Sequence, residues 1–272
     1  MTTIEILICT IDKGVVRIFD NLPSPRPDVS YLVSYQFTDS RYLELVPKAL
    51  VERPDVRFVK HPGKGLSKNR NFALSLAKGD VVVFADDDAR FSHDSFDIIE
   101  RVFADHPKLD IAFFQASTYT GRQLKSYPSV ELPFTGGRSV WQISTLEMAC
   151  RRTSIQGRLL FDERFGLGCD TLPWGEQEVW LEDAVRLGLS MRYFPVKIVE
   201  TSTMLKQRML YIDCGVQRSY GAVAYYKYGR KAYLLCLRLA LHAVHRGRAR
   251  FFPLIGQLLA GIRFLRRNPA KQ

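Results

Sequence analysis

The most strand-like run in the chain is Gly79-Asp80-Val81-Val82-Val83-Phe84-Ala85, and it ends in three consecutive carboxylates, Asp86-Asp87-Asp88. A short apolar run without polar alternation reads as a strand buried on both faces, as in a parallel sheet covered by helices. Around it the first 120 residues alternate strand and helix signals. Ile4–Cys9, Ser30–Tyr35, Val56–Lys60 and Asp110–Ser117 read as strands. Ser67 is placed to cap a helix over Lys68–Lys78 that Gly79 ends, and Ser92 or His93 opens another toward Asp105. This βαβ alternation predicts an α/β fold with a mostly parallel, doubly wound sheet.

From Thr118 to Thr171 the pattern loosens around Pro128, Pro133, Gly136-Gly137, Gly157 and Gly166-Leu167-Gly168. Long irregular stretches of this kind tend to be binding loops. Glu176–Leu187 is then helical, and a strand follows near Met191–Val199. The tail is helical and amphipathic. Residues 223–245 are rich in Tyr, Leu and Ala, and Phe251, Leu254, Ile255, Leu258, Leu259, Ile262 and Leu265 recur at helical spacing. These shifts divide the chain into a catalytic α/β domain, residues 1–204, and a basic helical extension, residues 205–272.

Charge sharpens that division. Of the 39 Lys and Arg residues, 14 fall in residues 201–272 against the single Asp213, a local net of +13, while the other 200 residues carry a net of −2. Such asymmetry points to an anionic partner for the tail. An apolar stripe flanked by Arg263, Arg266 and Arg267 suits an anionic membrane surface; the alternative is a helix docked on the protein's own core with solvated arginines. Basic residues alternating with long aliphatic ones on helices argue against nucleic acid. No stretch approaches the roughly 20 apolar residues of a spanning helix, and no basic leader precedes the first strand, so a cytoplasmic protein, peripheral on the inner membrane face, is expected. The scattered Cys9, Cys150, Cys169, Cys214 and Cys236 form no CxxC pair, which speaks against a disulfide framework or a zinc knuckle.

The chemistry starts at Asp86–Asp88. In an open α/β sheet the ligand crevice lies outside the carboxyl ends of the strands. Adjacent carboxylates there repel one another unless a cation sits among them, and oxygen-only ligands suit Mg²⁺ or Mn²⁺ bridging to substrate phosphates; a solvated acidic turn is the plainer alternative. The basic, glycine-containing loop Gly63-Lys64-Gly65-Leu66-Ser67-Lys68-Asn69-Arg70-Asn71 meets a helix start, a place suited to phosphate or nucleotide. Thr10 and Asp12 follow the first strand. Phe161-Asp162-Glu163-Arg164-Phe165-Gly166-Leu167-Gly168 precedes Gly175-Glu176-Gln177-Glu178 at a helix opening. Among Trp141, Trp174 and Trp180, only Trp174 is assigned to the acceptor side; His93, His106, His242 and His245 lack ligand spacing, and His61, next to Pro62, reads as structural.

In this order the motifs resemble those of the inverting family-2 glycosyltransferases of the GT-A fold. The counterparts are Cys9-Thr10-Ile11-Asp12, Gly65 to Asn71, Gly79 to Asp88 with its D-x-D element, and Phe161 to Glu178. The resemblance spans roughly residues 4–200. It implies a nucleotide-diphosphate-sugar donor, a UDP-sugar favoured, a divalent Mn²⁺ or Mg²⁺, and a hydroxyl acceptor on a glycan or lipid-linked carrier, as in cell-surface polysaccharide synthesis. Carried over, Asp88 ligands the metal with Asp86, which also sits near the ribose. Asp87 supports either role, and Thr10 and Arg70 fall at the base end. The family takes its general base from the Gly-Glu-Asp/Glu block. Here Gln177 occupies the second acidic position, leaving Glu176, favoured because it directly follows Gly175, or Glu178; an acidic first turn that stabilises the helix N-terminus is the structural alternative. Where the family often has Val-Asp-Asp-Gly-Ser, this chain has Ser34-Tyr35-Gln36-Phe37-Thr38-Asp39, so Gln36 or Asp39 is left to read the base. Gln177 also keeps open a non-catalytic nucleotide-sugar-binding protein. A metal-dependent nucleotidyltransferase is a third reading, without a Walker loop to support it.

Overall fold

A computed structural model describes residues 2–136, 143–202 and 209–269. Among them, eight strands form one mixed sheet in the order β3-β2-β1-β4-β7-β5-β8-β6. The strands are β1 Ile4–Ile11, β2 Val29–Phe37, β3 Val56–Pro62, β4 Val81–Ala85, β5 Ile111–Thr118, β6 Leu132–Pro133, β7 Met148–Arg151 and β8 Met191–Thr201. Strands β1, β2, β3 and β4 run parallel to one another. Strand β7 is antiparallel to both β4 and β5, β8 pairs parallel with β5, and the short β6 is antiparallel to β8. The helices are α1 Lys48–Val51, α2 Leu66–Leu76, α3 His93–Asp105, α4 Arg152–Ile155, α5 Glu176–Arg186, α6 Met209–Ile212, α7 Cys214–Tyr228, α8 Ala232–His245 and α9 Phe251–Arg267.

The predicted two-faced burial of β4 is present: all five of its residues are buried. Alternate residues Ile4, Ile6 and Ile8 of β1 pack in one core with Phe96, Ile99 and Phe103 of α3, while α2 lies along β1 and β2. Ser92 caps α3 in a reciprocal capping box with Ser95. Helix α2 departs from the sequence reading. It begins one residue before Ser67, with Gly65 at the cap position, and ends at Leu76, ahead of Gly79. After the helix, Glu5 of β1 accepts the Gly79 amide at 2.9 Å and a guanidinium hydrogen bond from Arg57 at 2.9 Å, so the α2–β4 turn closes on a carboxylate inside the sheet.

By its internal contacts the chain forms two compact units, Met1–Leu160 with Ala184–Leu205, and Phe161–Asp183 with Lys206–Gln272. The first contains the whole sheet. In the second, α7 and α9 cross at two glycines. A methyl group on Gly221 would stand 1.9 Å from the Leu258 carbonyl oxygen, and one on Gly261 would stand 1.8 Å from that of Arg218, so only glycine permits this approach. The apolar stripe read from residues 251–265 is largely consumed here: Leu254, Leu258 and Ile262 pack against Ala232, Cys236, Ala240 and Ala243 of α8. No helix among the described residues is long and apolar enough to cross a membrane.

Candidate active site

In the sheet unit the candidate donor residues gather because of register. Ile8 of β1 pairs with Ala85 of β4, so Thr10 and Asp87, each two residues farther on, emerge side by side at the carboxyl edge. The Thr10 hydroxyl donates to Asp87 Oδ2 at 2.7 Å, and Arg17 reaches Asp87 Oδ1 at 2.5 Å. Burial still lifts the Asp87 carboxyl above its ordinary range, against the pull of Thr10 and Arg17, and the neighbouring Asp86 and Asp88 add to the rise. Asp87 is thereby committed to bracing, and the two flanking carboxylates point elsewhere.

Asp86 is the open member of the three, its side chain 45% exposed, with the buried Arg70 guanidinium 3.6 Å away. Arg70 comes from α2 and also donates to Thr145 Oγ1 at 2.8 Å. Asp88 is buried, and its Oδ2 accepts the Thr201 hydroxyl at 3.0 Å and the Ser202 hydroxyl as well. Its backbone carbonyl accepts from Tyr119 at 2.5 Å. Burial pushes the thiol of Cys9, which neighbours Thr10 in the chain, up to about 12, so it is no nucleophile at neutral pH.

Asn69, from the loop-to-helix motif, ties the strand ends together. Its amide donates to the Thr10 and Ser34 carbonyls at 3.2 and 3.1 Å, and its oxygen accepts from Ser34 Oγ at 2.5 Å. Asp12 takes a left-handed backbone, φ 48°, held by the Thr38 amide and hydroxyl at 2.7 and 2.8 Å. Gln36 sits opposite Ile11 at the end of β2, and its buried Nε2 has no hydrogen-bond partner. An unsatisfied buried amide needs an explanation, and a ligand acceptor is one. Asp39 instead caps a short 3₁₀ turn and pairs with Arg41 at 2.7 Å. Sequence reasoning gave Asn69 no role of its own within its motif, and passed over Arg17, Thr145, Thr201 and Ser202. The last two were within reach of the same rule that found Asp86–Asp88, since they close β8, a strand parallel to β5.

The second unit holds the candidate base residues. Gly175, at φ 97°, turns the chain into α5, and its hydrogen atoms leave room for Val223, whose Cγ2 a methyl group would meet at 2.5 Å. Glu178 and Glu182, one turn apart on α5, share the side that Lys227 of α7 approaches, 3.7 Å from Glu182. Glu178 Oε2 is shielded from solvent without a hydrogen-bond partner. Burial, with the nearby Glu176 charge second, pushes the Glu178 carboxyl up to about 7. Glu176, two residues earlier on the helix, is about 200° around from Glu178, and both residues are half-buried. Trp174 stacks on Tyr220 with ring centroids 5.3 Å apart and planes 6° from parallel. Trp180 is buried and stacks on Phe161. Trp141 lies outside the described residues.

Residues 39–162 match the family model described as glycosyl transferase family 2. Over this stretch, a little under half of its length, the chain is similar to the family 2 glycosyltransferases. The matched stretch contains Asp39, Arg70 and Asp86–Asp88, and stops before the Gly175–Glu178 block. Among solved structures, the chain resembles S. aureus TarS 1-349 with a TM-score of 0.62 at 12% identity, covering 99% of this chain and 93% of that one. The structure of S. aureus TarS 1-349 in complex with UDP-GlcNAc gives a TM-score of 0.57 at 12% identity, over 97% and 92% of the two chains. Against the S. aureus TarS crystal structure the TM-score is 0.56 at 14% identity, and the chain spans 43% of that longer chain. At these identities the likeness is one of fold. No curated protein matches the chain in sequence.

Proposed function

We propose that this glycosyltransferase moves a sugar, with inversion at the anomeric carbon, from a nucleoside-diphosphate sugar to a hydroxyl of a glycan or lipid-linked acceptor. The observation that carries the reading is the gathering of Thr10, Arg70 and Asp86–Asp88 at one edge of the parallel strands, with Arg70 and the three carboxylates inside the stretch that matches the family. A UDP-sugar donor is supported by the buried, unpartnered Gln36 amide, which offers a hydrogen bond to a pyrimidine carbonyl, and by the fold shared with a protein crystallised with UDP-GlcNAc.

The donor set fits a shared divalent ion. Among the described residues no group of three or more His, Cys, Asp or Glu is placed to hold a metal ion by itself. Mg²⁺ and Mn²⁺ instead take one or two carboxylates and complete their shell with substrate phosphate and water. Asp88, oriented by Thr201 and Ser202, with Asp86 beside Arg70, would hold such an ion. When bound, it would offset the charge the nucleoside diphosphate acquires as it leaves. Glu176 is assigned as the base for the acceptor hydroxyl, because a base needs access to that proton and one carboxylate oxygen of Glu178, Oε2, is shut away from solvent. The basic helices of the second unit support work at an anionic membrane face.

The test is thermal stabilisation by a panel of nucleoside diphosphates and their sugars, with Mn²⁺ and with EDTA, followed by NMR of the product's anomeric configuration. Metal-dependent stabilisation by uridine nucleotides and an inverted product are expected. A response to triphosphates alone, or a retained configuration, would overturn the assignment. Gln177, where an acidic residue is usual, favours one second reading, a donor-binding protein without turnover. It would bind the nucleotide sugar while neither transferring nor slowly hydrolysing it.

A further inference from the structure

Helix α8 is packed the wrong way round for a helix that serves only its own core. Its inward residues are the small ones: Ala232, Cys236, Ala240 and Ala243 are all buried against α9. Four of its large aliphatic residues face out, with Leu234 62%, Leu237 40%, Leu241 54% and Val244 41% exposed, while Leu239 packs on the core. Steps of three and four residues place these side chains in one stripe along the helix. Singly exposed leucines are ordinary, but a contiguous stripe marks an interaction surface.

Cations surround this stripe. Arg230 and Lys231 precede it, Arg238 lies within it, and Arg246, Arg248 and Arg250 follow. Beside its first turn, a cleft of about 520 Å³ is lined by Tyr233, Leu259, Arg263, Arg266 and Arg267. Arg266 donates to the Tyr233 hydroxyl at 3.2 Å, which sets one guanidinium at the cleft wall. No Asp or Glu follows Asp213 in the sequence, so these cations have no acidic neighbours later in the chain.

We infer that the outward stripe of α8 and the arginine cleft formed with α9 together make a docking surface for an anionic lipid bilayer. The leucines enter the headgroup–acyl boundary, and Arg263, Arg266 and Arg267 take a lipid phosphate. Apolar burial and attraction to anionic lipid act together in this kind of interfacial helix. Guanidinium groups suit the phosphate because they can donate to two of its oxygens at once. A second copy of the chain would bring an equally cationic face to the contact, and that repulsion favours lipid over self-association. The inference rests on the membrane-surface part of the function proposed above but names a different helix face from the stripe of residues 251–265.

Flotation of the full chain with phosphatidylcholine vesicles, with and without phosphatidylglycerol, tests it and reads neither donor binding nor turnover. A failure here therefore leaves the transferase assignment standing, and the reverse holds too. Binding only to the phosphatidylglycerol vesicles is expected, weakening as salt is raised. Leu237→Gln with Leu241→Gln should weaken it by at least about tenfold. Arg263→Gln, Arg266→Gln and Arg267→Gln together should weaken it by about a hundredfold. All these positions are exposed, and circular dichroism checks that the variants stay folded. Equal binding to neutral vesicles, or wild-type binding by both variants, would overturn the inference. So would binding of inorganic phosphate without vesicle association. A dimer by light scattering that the leucine substitutions dissociate, with no flotation, would assign the stripe to self-association instead.

Discussion

The Thr10 hydroxyl donates to Asp87 Oδ2 at 2.7 Å, joining the carboxyl ends of β1 and β4 through their side chains. Thr10→Val keeps the shape and removes the donor. Asp87 then loses one of the contacts that hold it charged, and its carboxyl rises further from the ordinary range. Nucleotide-sugar affinity, measured by isothermal titration, should fall by about tenfold, as for loss of a hydrogen bond to a charged group.

Asp88 is the carboxylate that Thr201 and Ser202 orient. Asp88→Asn should lower turnover by at least about a hundredfold and abolish the difference between Mn²⁺ and EDTA in donor binding. Undiminished, metal-responsive turnover in that variant would remove Asp88 from the metal site.

Glu176 and Glu178 separate cleanly by substitution. Glu176→Gln should cut turnover by about 10²–10⁴-fold with donor affinity preserved, as for a lost general base. Glu178→Gln should retain most turnover and change the pH dependence of stability. With Glu178 lifted to about 7, the folded protein holds a proton that the unfolded chain releases near pH 4.3. Its contribution is full below that lower value and is lost as pH rises through about 7. The loss is of order 3 kcal/mol. Thermal melts from pH 4 to 9 should show the decline in the wild type and a flatter curve in Glu178→Gln, with the variant melting higher at the alkaline end.

Lys125 and Glu147 form a buried pair at 2.8 Å, with Tyr127 donating to the same carboxylate at 2.6 Å. Lys125→Met strands the carboxylate and should destabilise the chain by about 3–5 kcal/mol in urea unfolding. The loss should shrink toward acid pH, where Glu147 takes up a proton.

Gly221→Ala places a methyl group against the Leu258 carbonyl and should cost about 1–3 kcal/mol by forcing α7 from α9. Thermal unfolding of the full chain measures it, with Gly256→Ala, where a methyl group meets open space, as the control.

The sheet was legible because its parallel strands are uninterrupted runs of Ile, Val, Leu and Phe, a pattern set by burial on two faces. Strands β6 and β7 were not. Met148-Ala149-Cys150-Arg151 is four residues long, shows no alternation, and becomes a strand only because β4 and β5 offer edges on either side. The expected Ser67 cap gave way because α2 is positioned by Asn69, whose partners lie 35 and 59 residues away in sequence. Local propensity carries no record of such contacts. Asp86–Asp88 stood out since three adjacent charges after a buried strand are costly without a purpose. Arg17 and Thr201 did not, being ordinary residues until the 3₁₀ turn after β1 carries Arg17 to Asp87 and the end of β8 carries Thr201 to Asp88. The stripe of residues 251–265 had the period of an interfacial helix, and periodicity alone does not say whether the apolar side meets lipid or a neighbouring helix.

The order of strands in the sheet also sets an order in time. The four parallel strands on one side, β3-β2-β1-β4, are complete once residue 85 has been made, whereas the antiparallel strand that shields the free edge of β4 begins only at residue 148. Domains are assembled from the N-terminus as synthesis proceeds, at about 5–20 residues per second. A ribosome therefore displays β4, the strand that carries the acidic triplet, as an open edge for several seconds before β7 can cover it, and that interval is when the nascent chain is most exposed to pairing with a neighbour.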